Sequence, residues 1–244
     1  MCTLAVTRNR IEKNLKLIRQ DIAAAAQRVR RDPAEVSIVA VTKAVDVDTI
    51  KNVLDAGLLD LGENRAGQLT SRVEDIDAYV KRRRNPLPGP VRWHMIGHLQ
   101  RNKVRPTLAC GATIHSVDSL RLAEEVSQRA RKAKLTVDIM LQVNCSQEQQ
   151  KHGIAVGAGG HLAEMIAAMP NLRLVGLMTM GPTGADPQES RNSFSRLKFI
   201  FDEIKKAKVG GRAFRHLSMG MSGDYTIAVE QGATILRIGS ALFA

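Results

Sequence analysis

The sequence predicts an α/β fold: a single (β/α)8 barrel of the TIM type with an extra N-terminal helix. Eight short apolar runs alternate with helical segments along the chain. Its 244 residues are close in number to the ~250 typical of such barrels. No linker-like or low-complexity stretch divides the sequence, so we expect one domain over residues 1–244. A doubly wound open sheet is the alternative, because strand count alone does not show whether a sheet closes.

The first helix is expected over residues 7–31, with Thr7 as a candidate cap. Strands are expected where runs rich in Val, Ile and Leu lie between turn residues. The first of these runs follows Pro33 and ends in a single lysine, Lys43. The predicted strands cover residues 36–43, 58–61, 91–96, 112–116, 137–143, 172–178, 214–218 and 234–238.

Helices are expected between these strands, bounded by capping and breaking residues. Gly57 ends the helix that begins at Asp46, and Asp118 or Ser119 caps another. The proline- and glycine-rich residues 85–90 must form a loop. The predicted helices between strands cover residues 46–56, 65–83, 102–108, 119–134, 160–169 and 188–208, and a short one ends at residue 231.

The composition indicates a globular cytoplasmic protein, since 44% of the residues are hydrophobic and no apolar run is long enough to cross a membrane. Cys2, Cys110 and Cys145 are far apart and lack the spacing of metal ligands. We therefore expect neither a disulfide framework nor a metal site.

The net charge of +12 raises the question of an anionic partner. The basic clusters fall at the ends of predicted helices, where cations complement the helix dipole and stay solvated. The chain has one Trp, two Tyr and five Phe, few for stacking on nucleic acid bases. Binding to nucleic acid or to an acidic partner is therefore the less favoured interpretation.

Lys43 stands where barrels place their chemistry, at the C-terminal end of a strand. It is either a solvated strand end or a partly desolvated amine that forms a Schiff base. The loops after the last two strands, residues 218–224 and Gly239-Ser240, are rich in glycine and hydroxyls. Each is an ordinary tight turn by itself, but their joint position is typical of a phosphate site in a barrel.

Arg237 lies in an otherwise apolar strand, where a guanidinium is costly unless it is paired. It either pairs with Glu63 or another carboxylate at the barrel mouth, or donates to a ligand ring atom. An amine, an anion site and an arginine together suggest an aldehyde-bearing phosphate cofactor, and pyridoxal phosphate (PLP) fits them. Neither GxGxxG nor GxxxxGK[ST] follows the first strand, so the usual nucleotide-binding signals are missing.

The chain resembles the pyridoxal phosphate homeostasis protein family essentially from end to end. Seven motifs occur in the family's order. They are Ala40–Lys43, Leu61–Asn64, Trp93–Gln100, His115–Asp118, Gly176–Met180, Leu217–Ser222 and Arg237–Ser240.

The resemblance implies a barrel similar to the N-terminal domain of alanine racemase, as in fold type III PLP proteins, with the cofactor imine on Lys43. It also implies phosphate contacts from Ser218, Gly239 and Ser240, with Met219 and Ser222 nearby. Asn64 would lie beside the cofactor ring and Arg237 at its pyridine nitrogen. His98 lies in a matching loop, but a cap or surface role suits it better, and Met178 and Met180 are expected to pack in the barrel.

The implied function is PLP (vitamin B6) homeostasis: the protein buffers the cofactor and delivers it to apoenzymes without robust catalysis, as a monomer or weak homodimer. Alanine racemase takes a second base, a tyrosine, from a separate domain that we do not expect here. Tyr79 is expected on an outer helix and Tyr225 beside the phosphate loop. An amino-acid racemase is the first alternative, and a nucleic-acid or acidic-partner binder is the second.

Overall fold

The chain forms a closed barrel of eight parallel strands arranged in sequence order. The computed structural model describes residues 5–182, 184 and 186–244. The strands are β1 (Ser37–Val41), β2 (Asp60–Glu63), β3 (Arg92–Met95), β4 (Thr113–Val117), β5 (Val137–Gln142), β6 (Leu172–Met178), β7 (His216–Ser218) and β8 (Ile235–Ile238). Pairing of β1 with β8 closes the sheet. The predicted (β/α)8 fold is confirmed, and the open-sheet alternative is wrong.

The helices lie between the strands, with one additional helix before β1 and one after β8. They are α1 (Arg8–Arg28), α2 (Val47–Asp55), α3 (Ala66–Arg82), α4 (Val104–Ala109), α5 (Leu120–Ala133), α6 (Gly159–Ala167), α7 (Pro187–Lys206), α8 (Tyr225–Glu230) and α9 (Ser240–Phe243). The last of them was not expected. The prediction for β2 was also two residues early, because Leu58 belongs to the turn after α2 rather than to the strand.

The N-terminal helix α1 covers the barrel next to α8 and α9. It buries the apolar face that its spacing predicts, formed by Ile11, Leu15, Ile18 and Ile22. Thr7 occupies the N-cap position, but its side chain makes no capping hydrogen bond. The capping role expected for Thr7 is therefore wrong, and packing rather than capping stabilises this end of the helix.

Two layers of apolar packing follow from the alternation of side chains along each strand. Alternate residues such as Ile38 and Ala40 join the large core beneath the helices. A smaller cluster comes from the opposite strand faces: Val39, Met140, Val175, Met178 and Ile235. Met178 thus packs as expected.

The basic residues in the last turns of α1, α3, α5 and α7 confirm the predicted placement of charge at helix ends: Arg28; Lys81 and Arg82; Arg131 and Lys132; Lys205 and Lys206. Within the described part of the chain, no helix is long and apolar enough to cross a membrane.

Candidate functional site

A cavity of about 1000 Å³ opens at the C-terminal ends of the strands. Six of the eight predicted cofactor residues line it: Lys43, Asn64, Ser222, Arg237, Gly239 and Ser240. The other two, Ser218 and Met219, are fully buried at the end of β7 and are not among the residues lining this cavity. The structure therefore brings residues after β1, β2, β7 and β8 to one site.

Lys43 lies two residues beyond β1 in a tight turn that leads into α2. Its side chain is exposed at the cavity. The backbone of the turn is held in place, because Gln68 Nε2 donates to the Lys43 carbonyl oxygen at 3.0 Å and Asp46 caps α2 through the Thr49 N–H at 2.7 Å. The amine is thus accessible to a ligand from a fixed backbone position.

A buried ion pair supports the same turn from beneath. Arg72 of α3 donates to the carbonyl oxygens of Thr42 and Val45, on either side of Lys43, and pairs with Glu63. Thr42 also donates its hydroxyl to Glu63. Burial raises the pKa of Glu63, although Thr42 and Arg72 oppose that shift. Glu63 therefore pairs with Arg72, and the alternative that Arg237 pairs with Glu63 is wrong.

Arg237 of β8 is only 4% exposed, yet it lines the cavity. Its Nη1 donates to Ser218 Oγ at 2.7 Å and its Nη2 donates to the Thr179 carbonyl oxygen at 2.8 Å. Burial lowers the pKa of Arg237 to about 10, against the opposing charge of Asp224. The guanidinium therefore remains a cation at neutral pH and is held in one orientation.

A chain of buried hydrogen bonds runs on from Arg237 through the barrel. His115 Nδ1 lies 2.9 Å from Ser218 Oγ, and His115 Nε2 lies 2.9 Å from His94 Nδ1. His94 Nε2 then lies 3.0 Å from Asp60 Oδ1, at the N-terminal end of β2. We call this set of five residues the relay chain.

The two ends of the relay chain carry opposite charges, Arg237 as a cation and Asp60 as an anion. Burial raises the pKa of Asp60, but hydrogen bonds from His94 and Arg92 outweigh it and lower the pKa to about 2. Burial also lowers the pKa of His115 well below 6.5, with help from His94 and Arg237. An ionised carboxylate only accepts hydrogen bonds, so His94 Nε2 donates to Asp60 Oδ1, while Arg237 at the other end of the chain donates to Ser218 Oγ.

The histidines of the relay chain were not predicted as site residues. Both occupy the centre of apolar strands, in Trp93-His94-Met95 and Ile114-His115-Ser116. A polar side chain at such a position must find a buried partner, which is the signal that could have identified them.

The loops after β7 and β8 meet around Ser222. Its Oγ accepts hydrogen bonds from the backbone N–H groups of Gly239 at 3.3 Å and Ala241 at 3.1 Å. Gly220 has a φ of +91°, which suits glycine and makes the preceding turn tight. The Gly239 and Ala241 N–H groups therefore point toward one position, which the Ser222 hydroxyl oxygen occupies in this structure.

The donor set of the cavity fits PLP. The N–H groups around Ser222, together with the Ser222 and Ser240 hydroxyls, suit a phosphate group. The Lys43 amine suits an aldehyde, and the Arg237 guanidinium can donate to a ring nitrogen.

Other residues of the cavity differ from expectation. Met180 is 37% exposed and lines the cavity, so its assignment to barrel packing is wrong. His98 also lines the cavity and contacts Asp118. Tyr79 lies on the outer helix α3 as expected, bonded to Asp55. Tyr225 is not among the lining residues, and its hydroxyl donates to Asp21 of α1.

Comparisons with known proteins agree with the fold and the motifs. The model of the family described as "Alanine racemase, N-terminal domain" matches residues 9–244. A pyridoxal phosphate homeostasis protein of Aquifex aeolicus (strain VF5) is 33% identical, over 95% of this chain and 96% of its own.

Two solved structures are also similar. The crystal structure of an unknown protein from Bifidobacterium adolescentis is 35% identical with a TM-score of 0.91, over 97% of this chain and 95% of that one. PipY of Synechococcus elongatus PCC7942, solved with PLP bound, is 28% identical with a TM-score of 0.77, over 91% of this chain and 100% of its own. The chain belongs to the alanine racemase N-terminal domain family and, within it, to the pyridoxal phosphate homeostasis proteins.

Proposed function

We propose that this protein binds PLP reversibly in the cytoplasm, buffers it, and supplies it to apoenzymes without robust catalysis of its own. One observation supports the proposal most: a single cavity is lined by a lysine amine, by two loops with converging N–H donors, and by a buried arginine. The PLP-bound structure of PipY supports the choice of cofactor.

The six predicted cofactor residues that line the cavity each have a role in this proposal. PLP supplies a reactive aldehyde and an electron-withdrawing ring when bound. Lys43 is the nucleophile that holds the aldehyde carbon. Ser222, Gly239 and Ser240 bind the phosphate group, and Asn64 flanks the ring.

Arg237 orients the ring by donating a hydrogen bond to its nitrogen. A guanidinium that stays charged also discourages protonation of that nitrogen, which weakens the ring as an electron sink. Ser218 acts through Arg237 rather than on the phosphate group, because its hydroxyl is buried and already bonded to Arg237. Met219 is fully buried and packs in the core behind the site.

The absence of robust catalysis is supported by the state of the tyrosine nearest the phosphate loops. Burial and the hydrogen bond to Asp21 raise the pKa of Tyr225 to about 12. A phenol that stays protonated and bonded to α1 is a poor base for a substrate in the cavity. The exposed position of Lys43 favours exchange of the cofactor over a sequestered reaction.

The first experiment is a visible absorbance titration with PLP, followed by borohydride reduction and peptide mass mapping. We expect a reducible absorbance band and an adduct on Lys43, and Lys43→Ala should lose both. Lys51→Ala is the matched control, since Lys51 lies on α2 near the same loop and pairs with Asp48. An adduct on another lysine in the unaltered protein would refute the assignment of Lys43.

Delivery and catalysis are separated by two further assays on the same loaded protein. Loaded protein should reactivate a PLP-dependent apoenzyme, while L-alanine should show no sustained racemisation. Sustained turnover would favour the racemase alternative, and failure to reactivate any apoenzyme would leave buffering without delivery.

A further inference from the structure

Three potential metal ligands come together at the rim of the cavity, outside the set of residues assigned to PLP. His98 follows β3, Asp118 follows β4 and His152 lies in the loop after β5. Their ligand atoms all lie within 4.8 Å of one another. We propose that His98, Asp118 and His152 bind a divalent transition-metal ion such as Zn²⁺.

The distances match the dimensions of such a site. His98 Nδ1 lies 3.0 Å and His152 Nδ1 lies 3.7 Å from the same oxygen, Asp118 Oδ2. In a tetrahedral zinc site with bonds of about 2.1 Å, neighbouring ligand atoms lie about 3.4 Å apart. The two observed distances lie on either side of that value, so the ligand atoms are already spaced for one ion and the change required is in ring orientation.

The backbone around His152 is fixed on the barrel. Gln142 Nε2 donates to the His152 carbonyl oxygen at 2.9 Å, and an isolated bridge joins Val143 to Ile154. Gly153 allows this close return, because its φ is +130° and an added Cβ would lie 2.7 Å from the Asn144 nitrogen. A ligand on such a backbone is held near the site before any ion binds.

The backbone around His98 is fixed in a similar way. An added Cβ at Gly97 would lie 2.2 Å from the Asn64 carbonyl oxygen, so this turn is packed against the loop after β2. Asp118 directly precedes Ser119, whose side chain caps α5. All three ligands therefore stand on short segments anchored to the barrel rather than on a free loop.

The present orientation of the two histidine rings shows which side-chain movement metal binding requires. The His98 and His152 rings are stacked at 4.0 Å with an interplanar angle of 13°. An imidazole nitrogen binds a metal ion that lies close to the plane of its ring. Two rings stacked face to face lie in separate parallel planes, so they cannot both bind one ion. Metal binding must rotate a ring, and the His152 side chain, 58% exposed, is free to turn.

The ligand types indicate which ion suits the site. Imidazole nitrogen and carboxylate oxygen favour Zn²⁺, Ni²⁺, Co²⁺ and Cu²⁺ over Ca²⁺ and Mg²⁺. Three protein ligands on an exposed rim leave at least one position for water. Because His98 and His152 also line the cavity, a bound ion would add positive charge at its entrance.

The test uses the metal alone as the probe, on the full chain. Calorimetric titration with Zn²⁺ should give one ion per chain, and Co²⁺ should produce visible d–d absorbance bands that Zn²⁺ displaces. His98→Ala and His152→Ala should each weaken binding by at least ~10-fold, since loss of an outer-shell partner alone typically costs 10–100-fold. Asp118→Asn, a change of one atom, should weaken it similarly.

His161→Ala is the matched control, because His161 is an exposed histidine on α6 that takes no part in this cluster. Its affinity for Zn²⁺ should equal that of the unaltered protein. Absence of one-to-one binding, unchanged affinity in the His98 and His152 variants, or an equal loss in the His161 variant would each overturn the proposal. None of these readouts depends on PLP.

Discussion

At the scale of single residues, the relay chain explains how an arginine is kept inside the barrel. An isolated buried guanidinium would be strongly destabilising. Arg237 instead has neutral acceptors at Ser218 and Thr179, and the ionised Asp60 stands at the far end of the chain. His115 and His94 connect the two charged ends through hydrogen bonds, so each side chain of the relay chain has a partner.

The relay chain predicts an acid-dependent loss of stability that His115→Gln removes. His115 has a depressed pKa when folded, whereas the unfolded chain takes up a proton below pH 6.5. Stability is therefore complete above pH 6.5 and falls below it. The loss grows as the pH falls below 6.5, with a slope of at most about 1.4 kcal/mol per pH unit for one proton.

The measurement is the free energy of unfolding by urea at several pH values, for both proteins. The curve of His115→Gln should lie lower at neutral pH but slope less steeply toward acid. His216, whose pKa burial and Arg215 also lower, contributes equally to both curves and cancels in the difference. Parallel curves would mean that His115 is protonated in the folded protein.

Ser222 offers a second prediction at this scale. Its hydroxyl accepts two backbone N–H donors and is assigned to the phosphate group. Ser222→Ala should weaken PLP binding about tenfold, because one hydrogen bond to a charged group contributes roughly 1.5 kcal/mol. Ser195→Ala, on the outer helix α7 and bonded to Gln231, is the control, and equal affinities of the two variants would contradict the assignment.

At the scale of elements, one helix determines where the first strand presents its lysine. Arg72 reaches from α3 to the carbonyl oxygens on both sides of Lys43 and to Glu63 of β2. The position of the β1–α2 turn thus depends on a neighbouring βα unit. Such coupling follows from barrel topology, in which consecutive units lie side by side.

Arg72→Met should therefore destabilise the protein by about 3–5 kcal/mol, the usual cost of removing one partner from a buried ion pair. It should also accelerate hydrogen exchange of the Val45 amide, which donates to the Thr42 carbonyl oxygen within the turn. Adding Glu63→Gln to Arg72→Met should restore part of the stability, because the uncompensated carboxylate is gone. Strict additivity of the two changes would show that the pair is not coupled.

The elements were predictable because their signals are local. Apolar runs and turn residues located all eight strands, and Lys43 stood out after the first strand and Arg237 within the last. The partners of Ser218 and His115 were not predictable, because they depend on how distant strands meet in the barrel: Ser218 lies 103 positions from His115 in the sequence. The pairing of Glu63 with Arg72 depends instead on how α3 packs beside β2. The helix α9 was missed since its four residues carry no periodic pattern.

At the scale of the whole molecule, the barrel joins its first and last strands, and the chain ends contribute to the same closure. Asn14 of α1 donates to the Leu242 carbonyl oxygen of α9 at 3.0 Å, and α1 packs against α8. No subset of strands completes its hydrogen bonds without the others. A cofactor bound by loops after β1, β2, β7 and β8 would therefore stabilise all of the barrel rather than one part.

We therefore expect a single cooperative unfolding transition for residues 1–244, and PLP should shift it as a whole. By mass action, PLP at 100 times its dissociation constant adds about 2.7 kcal/mol, which raises Tm by ~5–11 °C, at ~2–4 °C per kcal/mol for a chain of this length. Differential scanning calorimetry checks both points, through equality of the calorimetric and van't Hoff enthalpies with and without PLP. Two resolved transitions, of which PLP shifts only one, would divide the chain into separate units and contradict the single domain.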